Sequence, residues 1–587
     1  MSRKRWLVYP HDAPRIRDLE QTLGVSPLVA QLLLRRHVSD PARARQFLDP
    51  RLGDLREPSL LPGIERASEI VHQAIRAGRQ IVVYGDYDAD GMTATAILVR
   101  CIRLLGGQVT YFVPNRLDDG YGLNLDAIRQ LRERGAELLV TVDCGISSVE
   151  CARLAGELGL PLVITDHHQF GDELPGAAAL VHPGLPGTNY PFDGLCGAAV
   201  AFKLAWAICQ RESQATRVRP ELRDFLMMAL GLAAIGTVCD VVPLLDENRI
   251  IVRHGIAALR SYPCPGLTQL QAVSGLGPEA VVSSEDLAFK LGPRLNAAGR
   301  LGQAQLGVEL LTSDHAPRLA ALAEYLHQLN QSRDSLDRSI YHAASQQIKH
   351  SYDPDGDAAF VLSDQDWHAG VIGIVAGRIA ERYHRPTLLI ALDPLGGKPG
   401  IGSGRSSGRF NLYQALHHCR EHLISHGGHA AAAGFKILPE RVDAFRQAFL
   451  EFAANAIDPR ELQSELHIDA ETVFSQLDLG TLQQIERMAP FGQSNPRPTL
   501  CASQVQLAEA PRRIGQGERS LSVRLVQHGI RLRAVAFGRS DWADHFPEPG
   551  QPLDVAFHPV INEYNGFRRV ELHLLDWRMS AAPAVKA

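Results

Sequence analysis

The chain has 587 residues, 45% of them hydrophobic and 21% charged, with a formal net charge of −5. That length suggests about three to four globular domains, and the composition excludes a disordered or fibrous chain. Mild acidity excludes a uniformly basic nucleic-acid binder, so any such affinity has to come from a local patch.

Residues 1–60 read as a basic, partly helical arm carrying Arg15, Arg17, Arg35, Arg36, Arg43, Arg45 and Arg51. Leu32, Leu33, Leu34 and Phe47 predict that it packs on something. From about 65 to 260, apolar runs at 81–84, 109–113, 138–142, 161–165 and 178–181 alternate with helical stretches near 92–105, 124–134 and 148–158. This pattern predicts an α/β lobe with a mostly parallel sheet covered on both faces. In such sheets ligands gather beyond the C-terminal strand ends.

The chemistry-bearing residues follow those ends. Asp86, Asp88 and Asp90 come after 81–84, Pro114-Asn115-Arg116 after 109–113, Asp143 after 138–142, and Asp166-His167-His168 after 161–165. The apolar segment 233–239 is taken as a further such run and ends in Asp240, and Asp119-Gly120-Tyr121-Gly122 is placed at the same mouth. Asp88 and Asp90 stand at i and i+2, so an extended segment points both the same way, a costly arrangement unless a cation joins them. A helix cap needs one carboxylate, not three. An oxygen-rich set with one imidazole suits two Mg²⁺ or Mn²⁺ ions, as in two-metal phosphoryl chemistry with an activated water. No P-loop is present, so no ATP-driven motor is implied, and no Ser-His-Asp arrangement is found. The stretch 205–230 is expected to be peripheral.

Arg294 and Arg300 lie in a Gly/Ala-rich segment, 290–300, read as a turn that can meet a phosphate. Residues 316–350 form one helical pattern without Pro or Gly after Pro317, roughly 50 Å long, a rigid connector between two lobes. Residues 355–455 form a second α/β lobe, with strands at 358–362 and 387–390 and a helix opening at Trp367-His368. Two Gly-rich stretches, 402–409 and 426–435, are read as anion-binding loops containing Ser403, Arg405, Arg409 and His429. Short β runs at 498–507, 519–527, 530–537, 553–558 and 569–577 predict a small barrel of the oligonucleotide-binding type. Nine cysteines are scattered without a CxxC pair or zinc spacing, residues 1–6 lead into no apolar leader, and no continuous run of 18 apolar residues exists. A reducing cytoplasm is expected, with no membrane span.

Taken together, YGDYDADG, the 119–122 loop, TVDCG, TDHH, Asp240, PRLNAAGR, WHAGVIGIVAGR, GSGRS and GGHAAAAGF run in one order from about 60 to 580. The chain resembles the DHH phosphoesterase family, and within it the exonucleases specific for single-stranded DNA. The resemblance implies a DHH domain over 61–315, a connecting helix over 316–350, a DHHA1 domain over 351–458 and an OB-fold domain over 459–580, after the arm at 1–60. It implies metal ligation by Asp88, Asp90, Asp143, His167 and Asp240, with Asp143 bridging, Asp86 in or beside the ligand set and His168 facing the scissile phosphate. It implies that Arg294, Asn296, Ser403 and Arg405 hold a 5′-phosphate end, and that Trp367, His368 and His429 line the DNA path. The implied activity is 5′ to 3′ release of mononucleotides from single-stranded DNA with Mn²⁺ or Mg²⁺, in DNA repair and recombination at the bacterial nucleoid. A single-strand-binding protein and a RecQ-type helicase are the implied partners. Two alternatives stand beside it: a phosphodiesterase for short oligonucleotides, and a non-catalytic strand-binding scaffold of the replisome.

Overall fold

The computed structural model describes residues 4–116, 122–354, 356–406, 408, 410–457, 464–564 and 566–580. The chain divides into two compact units: Leu55–Gln463, and Met1–Asp54 with Ser464–Ala587. In the second of these, β1 (Arg5–Val8) precedes α1 (Ala13–Leu23), α2 (Pro27–Arg35) and α3 (Pro41–Leu48). Asp12, Ser26 and Asp40 start the three helices, each accepting from the amide three residues on, with Pro in the first turn.

In the Leu55–Gln463 unit the first lobe runs α4 (Ile64–Arg76), β2 (Gln80–Tyr84), α5 (Ala89–Leu104), β3 (Gln108–Phe112), α6 (Leu125–Glu133), β4 (Leu138–Val142), α7 (Val149–Glu157), β5 (Leu162–Thr165), β6 (Ala179–Val181), α8 (Gly197–Ser213) and α9 (Pro220–Cys239). The sheet order is β3-β2-β4-β5-β6, every pairing parallel. β4 and β5 are buried at every residue, as continuous apolar strands covered on both faces must be. α6 and α7 share one core with Val82, Tyr84, Leu139 and Ile164, while α5 and α8 pack on the strands as well. Small residues, Ala, Gly and Thr, let α5 sit buried among its neighbours.

Two expectations fail here. The 205–230 stretch is not peripheral: Ala205, Ile208, Cys209, Leu222, Phe225, Leu226 and Leu230 are buried, because α8 and α9 pack on α5. Residues 233–239 are helical and belong to α9, so Asp240 leaves a helix C-terminus rather than a strand end. α9 is long and apolar enough to cross a membrane, yet most of it is buried inside the protein, as in a core helix.

The segment read as a turn near 290–300 is the helix Gly292–Arg300, which starts directly after a π-helical turn, Leu287–Leu291. The connector is one helix, Ala316–Ser351, as its periodicity predicts. The second lobe has β7 (Phe360–Asp364), β8 (Thr387–Ala391), β9 (Gly400–Arg405), β10 (Leu423–Gly428) and β11 (Ala432–Ile437) in the order β10-β11-β9-β8-β7, with only β7–β8 parallel. Most of the two supposed glycine loops is therefore strand. The glycines serve packing: a Cβ at Gly402 would lie 2.1 Å from the Phe435 ring, and one at Gly404 would lie 2.4 Å from Leu388. Arg409 and residues 119–121 lie outside the described residues.

The C-terminal part has β12 (Glu465–Ile468), β13 (Ala470–Glu471), β14 (Leu500–Leu507), β15 (Arg512–Ile514), β16 (Ser520–Gln527), β17 (Ile530–Ala536), β18 (Pro552–Tyr564) and β19 (Phe567–Met579). The order β14-β18-β19-β17-β16 closes through a β14–β16 pairing, giving the expected five-stranded barrel. The N-terminal arm is part of its fold. β1 pairs in parallel with β12, and Leu28, Val29, Leu32 and Leu33 share one core with Phe474, Leu500, Val523 and Phe557.

Candidate metal centre

Three strand ends and one helix end deliver the acidic groups. Asp86 follows β2 and is 3% exposed. Asp88 caps α5, its Oδ1 accepting from the amides of Asp90 (2.9 Å) and Gly91 (3.0 Å). Asp90 points from the first turn of α5 to the start of α8, where it accepts from the amides of Gly197 (2.7 Å) and Ala198 (2.9 Å). A buried carboxylate on a helix N-terminus is well placed. Asp143 follows β4 with φ 62°, a left-handed conformation unusual outside glycine, and its amide donates to Thr165 (3.0 Å). Gly197 permits this packing: a Cβ there would stand 2.4 Å from Asp143 Oδ1.

After β5, His167 Nε2 lies 3.1 Å from Asp143 Oδ1, 3.5 Å from Asp240 Oδ2 and 3.9 Å from Asp90 Oδ2. Donor atoms fall into three sets, each within 4.8 Å of one another: Asp86, Asp88 and Asp143; Asp90, His167 and Asp240; and Asp143, His167 and His168. Asp143 and His167 each belong to two sets. All seven residues singled out in the sequence for this centre thus converge.

The electrostatics call for positive charge. Burial, then neighbouring carboxylates, push Asp86, Asp88 and Asp143 above the usual carboxylate range, and raise Asp240 to about 9. Among the described residues, buried Asp86 Oδ1, His167 Nε2 and Asp240 Oδ2 have no hydrogen-bond partner. Unpartnered donors of this type are costly in a folded protein, and hard oxygen ligands with one imidazole fit Mn²⁺ or Mg²⁺. These acidic and histidine groups can hold such ions.

Asp166 is a functional residue outside the set expected from the sequence. Its buried carboxylate accepts from the amides of His167 (2.7 Å), His168 (3.1 Å) and Ile146 (2.9 Å), and pairs with His168 Nδ1 at 2.8 Å. Burial works against a charged His168 ring, but the Asp166 hydrogen bond and surrounding carboxylates outweigh it and raise the ring to about 9. The signal was available: an acid directly before two histidines at a strand end is placed to orient them.

Beside the acids lies an arginine cluster. Arg300 sits in the helix Gly292–Arg300 and donates to Gly370 O in the second lobe (3.2 Å). Burial, then Arg116, Arg333 and Arg405, lower it to about 10. Arg405, on β9, is also lowered by burial and Arg116. Arg116 lies over the Tyr87 ring at 5.0 Å. Among the described residues Arg116, Arg300 and Arg405 form no ion pair with a carboxylate. Ser403 accepts from Arg405 (3.3 Å), and both abut the first turn of the helix Ile372–Tyr383, where a Cβ on Gly373 would stand 2.9 Å from Ser403 Oγ. Half-buried, mutually repelling guanidiniums beside a helix N-terminus suit a phosphate. The sequence places Arg300 in a segment that can meet a phosphate and Arg116 after the run 109–113, but it does not show that both meet Arg405, because the three stand on separate segments.

The other expected contacts divide. Asn296 Oδ1 accepts from the Ala89 amide (2.8 Å), tying its helix to the acidic loop. Arg294 is turned to the connector, donating to His327 Nδ1 (3.1 Å) and Lys290 O. His368 Nδ1 accepts from the Gly370 amide (3.1 Å), next to Arg300. His429 is exposed between β10 and β11, its amide donating to Ala432 O (2.8 Å). Trp367 is 6% exposed and packs in the core of the second lobe.

Comparisons with known proteins agree with this architecture. The DHH family, N-terminal domain, matches residues 80–230, the DHHA1 domain 356–455 and the RecJ OB domain 468–576. A single-stranded-DNA-specific exonuclease RecJ of Dickeya dadantii is 38% identical, over 92% of this chain and 95% of that protein. RecJ of Bacillus subtilis is 35% identical over 99% of this chain and 71% of that protein. The crystal structure of RecJ in complex with Mn²⁺ from Thermus thermophilus superposes with TM-score 0.82 at 31% identity, covering 98% of this chain and 80% of that one. On fold, site chemistry and these similarities, the chain belongs to the RecJ family.

Proposed function

We propose that the chain is an exonuclease that degrades single-stranded DNA from its 5′ end to mononucleotides, using two Mn²⁺ or Mg²⁺ ions. The observation that carries it is the adjacency of the overlapping donor sets to the cluster of Arg116, Arg300 and Arg405, which form no ion pair with a carboxylate among the described residues. Asp86, Asp88, Asp90, Asp143, His167 and Asp240 would hold the ions, with Asp143 shared between two of the donor sets. When bound, the ions supply Lewis acidity and an activated water. Arg300, Arg405 and Ser403 hold the terminal phosphate, which fixes the polarity. His168, kept protonated by Asp166, donates to the scissile phosphate or to the leaving oxygen. In this division of labour residues 61–315 carry the chemistry, 351–458 the phosphate end and 459–580 the following strand. Cytoplasmic work beside a single-strand-binding protein and a RecQ-type helicase is part of the same reading.

Digestion of 5′-labelled and 3′-labelled single strands, with and without EDTA, tests it. The 5′ label is expected to appear as mononucleotide from the first turnover, the 3′ label only late, and EDTA to stop both. Early release of the 3′ label overturns the polarity, and activity in EDTA overturns the metal role.

A further inference from the structure

Beyond the ligands, the side chain of Asn248 ties together two segments that deliver them. Asn248 is fully buried, at the start of the helix Asp246–Ser261. Its Nδ2 donates to Gly194 O (2.5 Å) and to Pro243 O (3.0 Å). Two carbonyl partners fix the orientation of the amide, since only the nitrogen can serve both. Gly194 lies three residues before α8, whose first two amides hold Asp90 and whose Gly197 abuts Asp143. Pro243 lies three residues after Asp240. One buried amide therefore spans both segments.

A second observation points the same way. Val241, directly after Asp240, is held at φ 60°, and Asp246 at φ 46°. A β-branched residue in the left-handed region is a true outlier, and such strain persists only where the surroundings over-determine it. The Asn248 bond to Pro243 O closes the turn between those two residues. The adjacent Glu247, also fully buried, anchors the same region. Its carboxylate meets Lys203 Nζ on α8, the Arg56 amide (3.0 Å) and the Tyr190 hydroxyl, so the loop before α8 is gripped at Tyr190 and at Gly194.

We infer that Asn248 is a positioning residue of the metal centre, setting the separation of Asp240 from Asp90 and Asp143 by clamping the 194 and 243 carbonyls. The inference rests on the ligand assignment above. Partners that orient metal ligands typically contribute 10- to 100-fold to metal affinity.

The test is Mn²⁺ binding to the full-length protein without DNA, followed by electron paramagnetic resonance of free Mn²⁺, for wild type, Asp143→Ala, Asn248→Ala and Tyr190→Phe. Asn248→Ala is expected to weaken Mn²⁺ binding about 10- to 100-fold, and excess Mn²⁺ to return kcat toward wild type with KM for DNA unchanged. Tyr190→Phe, a milder release of the same loop, is expected to weaken binding severalfold and serves if Asn248→Ala does not fold. Mn²⁺ affinity within twofold of wild type in a folded Asn248→Ala overturns the inference, as does an unchanged Tyr190→Phe where Asn248→Ala is unfolded. Wild type and Asp143→Ala binding Mn²⁺ equally would instead overturn the ligand assignment, so the two failures are distinguishable.

Discussion

Arg405 shows how one residue's environment states its task. Its guanidinium is half-buried, meets Ser403 Oγ and the Gly404 carbonyl, and among the described residues has Arg116 and Arg300 as its charged neighbours. Burying a cation near other cations is unfavourable until an anion arrives. Replacing it should therefore act on the end of the substrate, not on the chemistry. Arg405→Ala is expected to reduce the preference for 5′-phosphorylated over 5′-hydroxyl strands about tenfold or more, the size of a lost charge-assisted contact. Turnover of the two substrates in parallel reads this, and an unchanged ratio would remove Arg405 from the phosphate site. His168 makes the complementary point: the same ring on a surface would titrate near its ordinary value, and here Asp166 and the surrounding acids hold it charged.

At the scale of elements, β9 replaces a loop expected from glycine content. Gly402 and Gly404 occur in a strand because Phe435 and Leu388 occupy the space a side chain would need. Gly404→Val should overpack this interface and destabilise the Leu55–Gln463 unit by about 1–3 kcal/mol, with a lower Tm in thermal denaturation. Gly427→Ala, with nothing within 4 Å of its Cβ, serves as the control and should change stability by no more than about 0.5 kcal/mol. If Gly404→Val melts like Gly427→Ala, β9 is not packed as described. The connector, by contrast, was legible in advance: Leu319, Leu322, Leu326, Ile340 and Ala344 recur at helical spacing, and all are buried in Ala316–Ser351.

At the scale of the molecule, the most distant partners in the chain are the arm and the barrel. Leu28, Val29, Leu32 and Leu33 are fully or nearly fully buried in one core with the barrel. Each such side chain contributes about 1.5–3 kcal/mol by burial, an upper estimate. Trp6 Nε1 donates to Asp576 (2.8 Å), with Arg578 over its ring at 4.3 Å. Residues 464–580 expressed alone should therefore be insoluble or poorly folded, and coexpression with residues 1–54 should restore a dispersed NMR spectrum. A well-folded isolated barrel would show that the arm is an ornament to it.

The amino-acid sequence by itself determined the parallel sheet, its strand ends and the acids that follow them, because short apolar runs and the residues after them are local patterns. It also marked Asp86, Asp88, Asp90, Asp143, His167 and His168 at those ends, whereas Asp240 was marked from a run that is the end of helix α9. Only tertiary structure decided which arginines meet: Arg116, Arg300 and Arg405 stand on three separate segments with no shared motif. It alone decided that Asp90 rests on the amides of α8, that Trp367 belongs to a core, and that the first 54 residues complete a barrel begun more than 400 residues later. The reason is physical. Periodicity reports how a segment buries itself against an unspecified partner, and which partner it finds is settled by long-range packing that no local window contains.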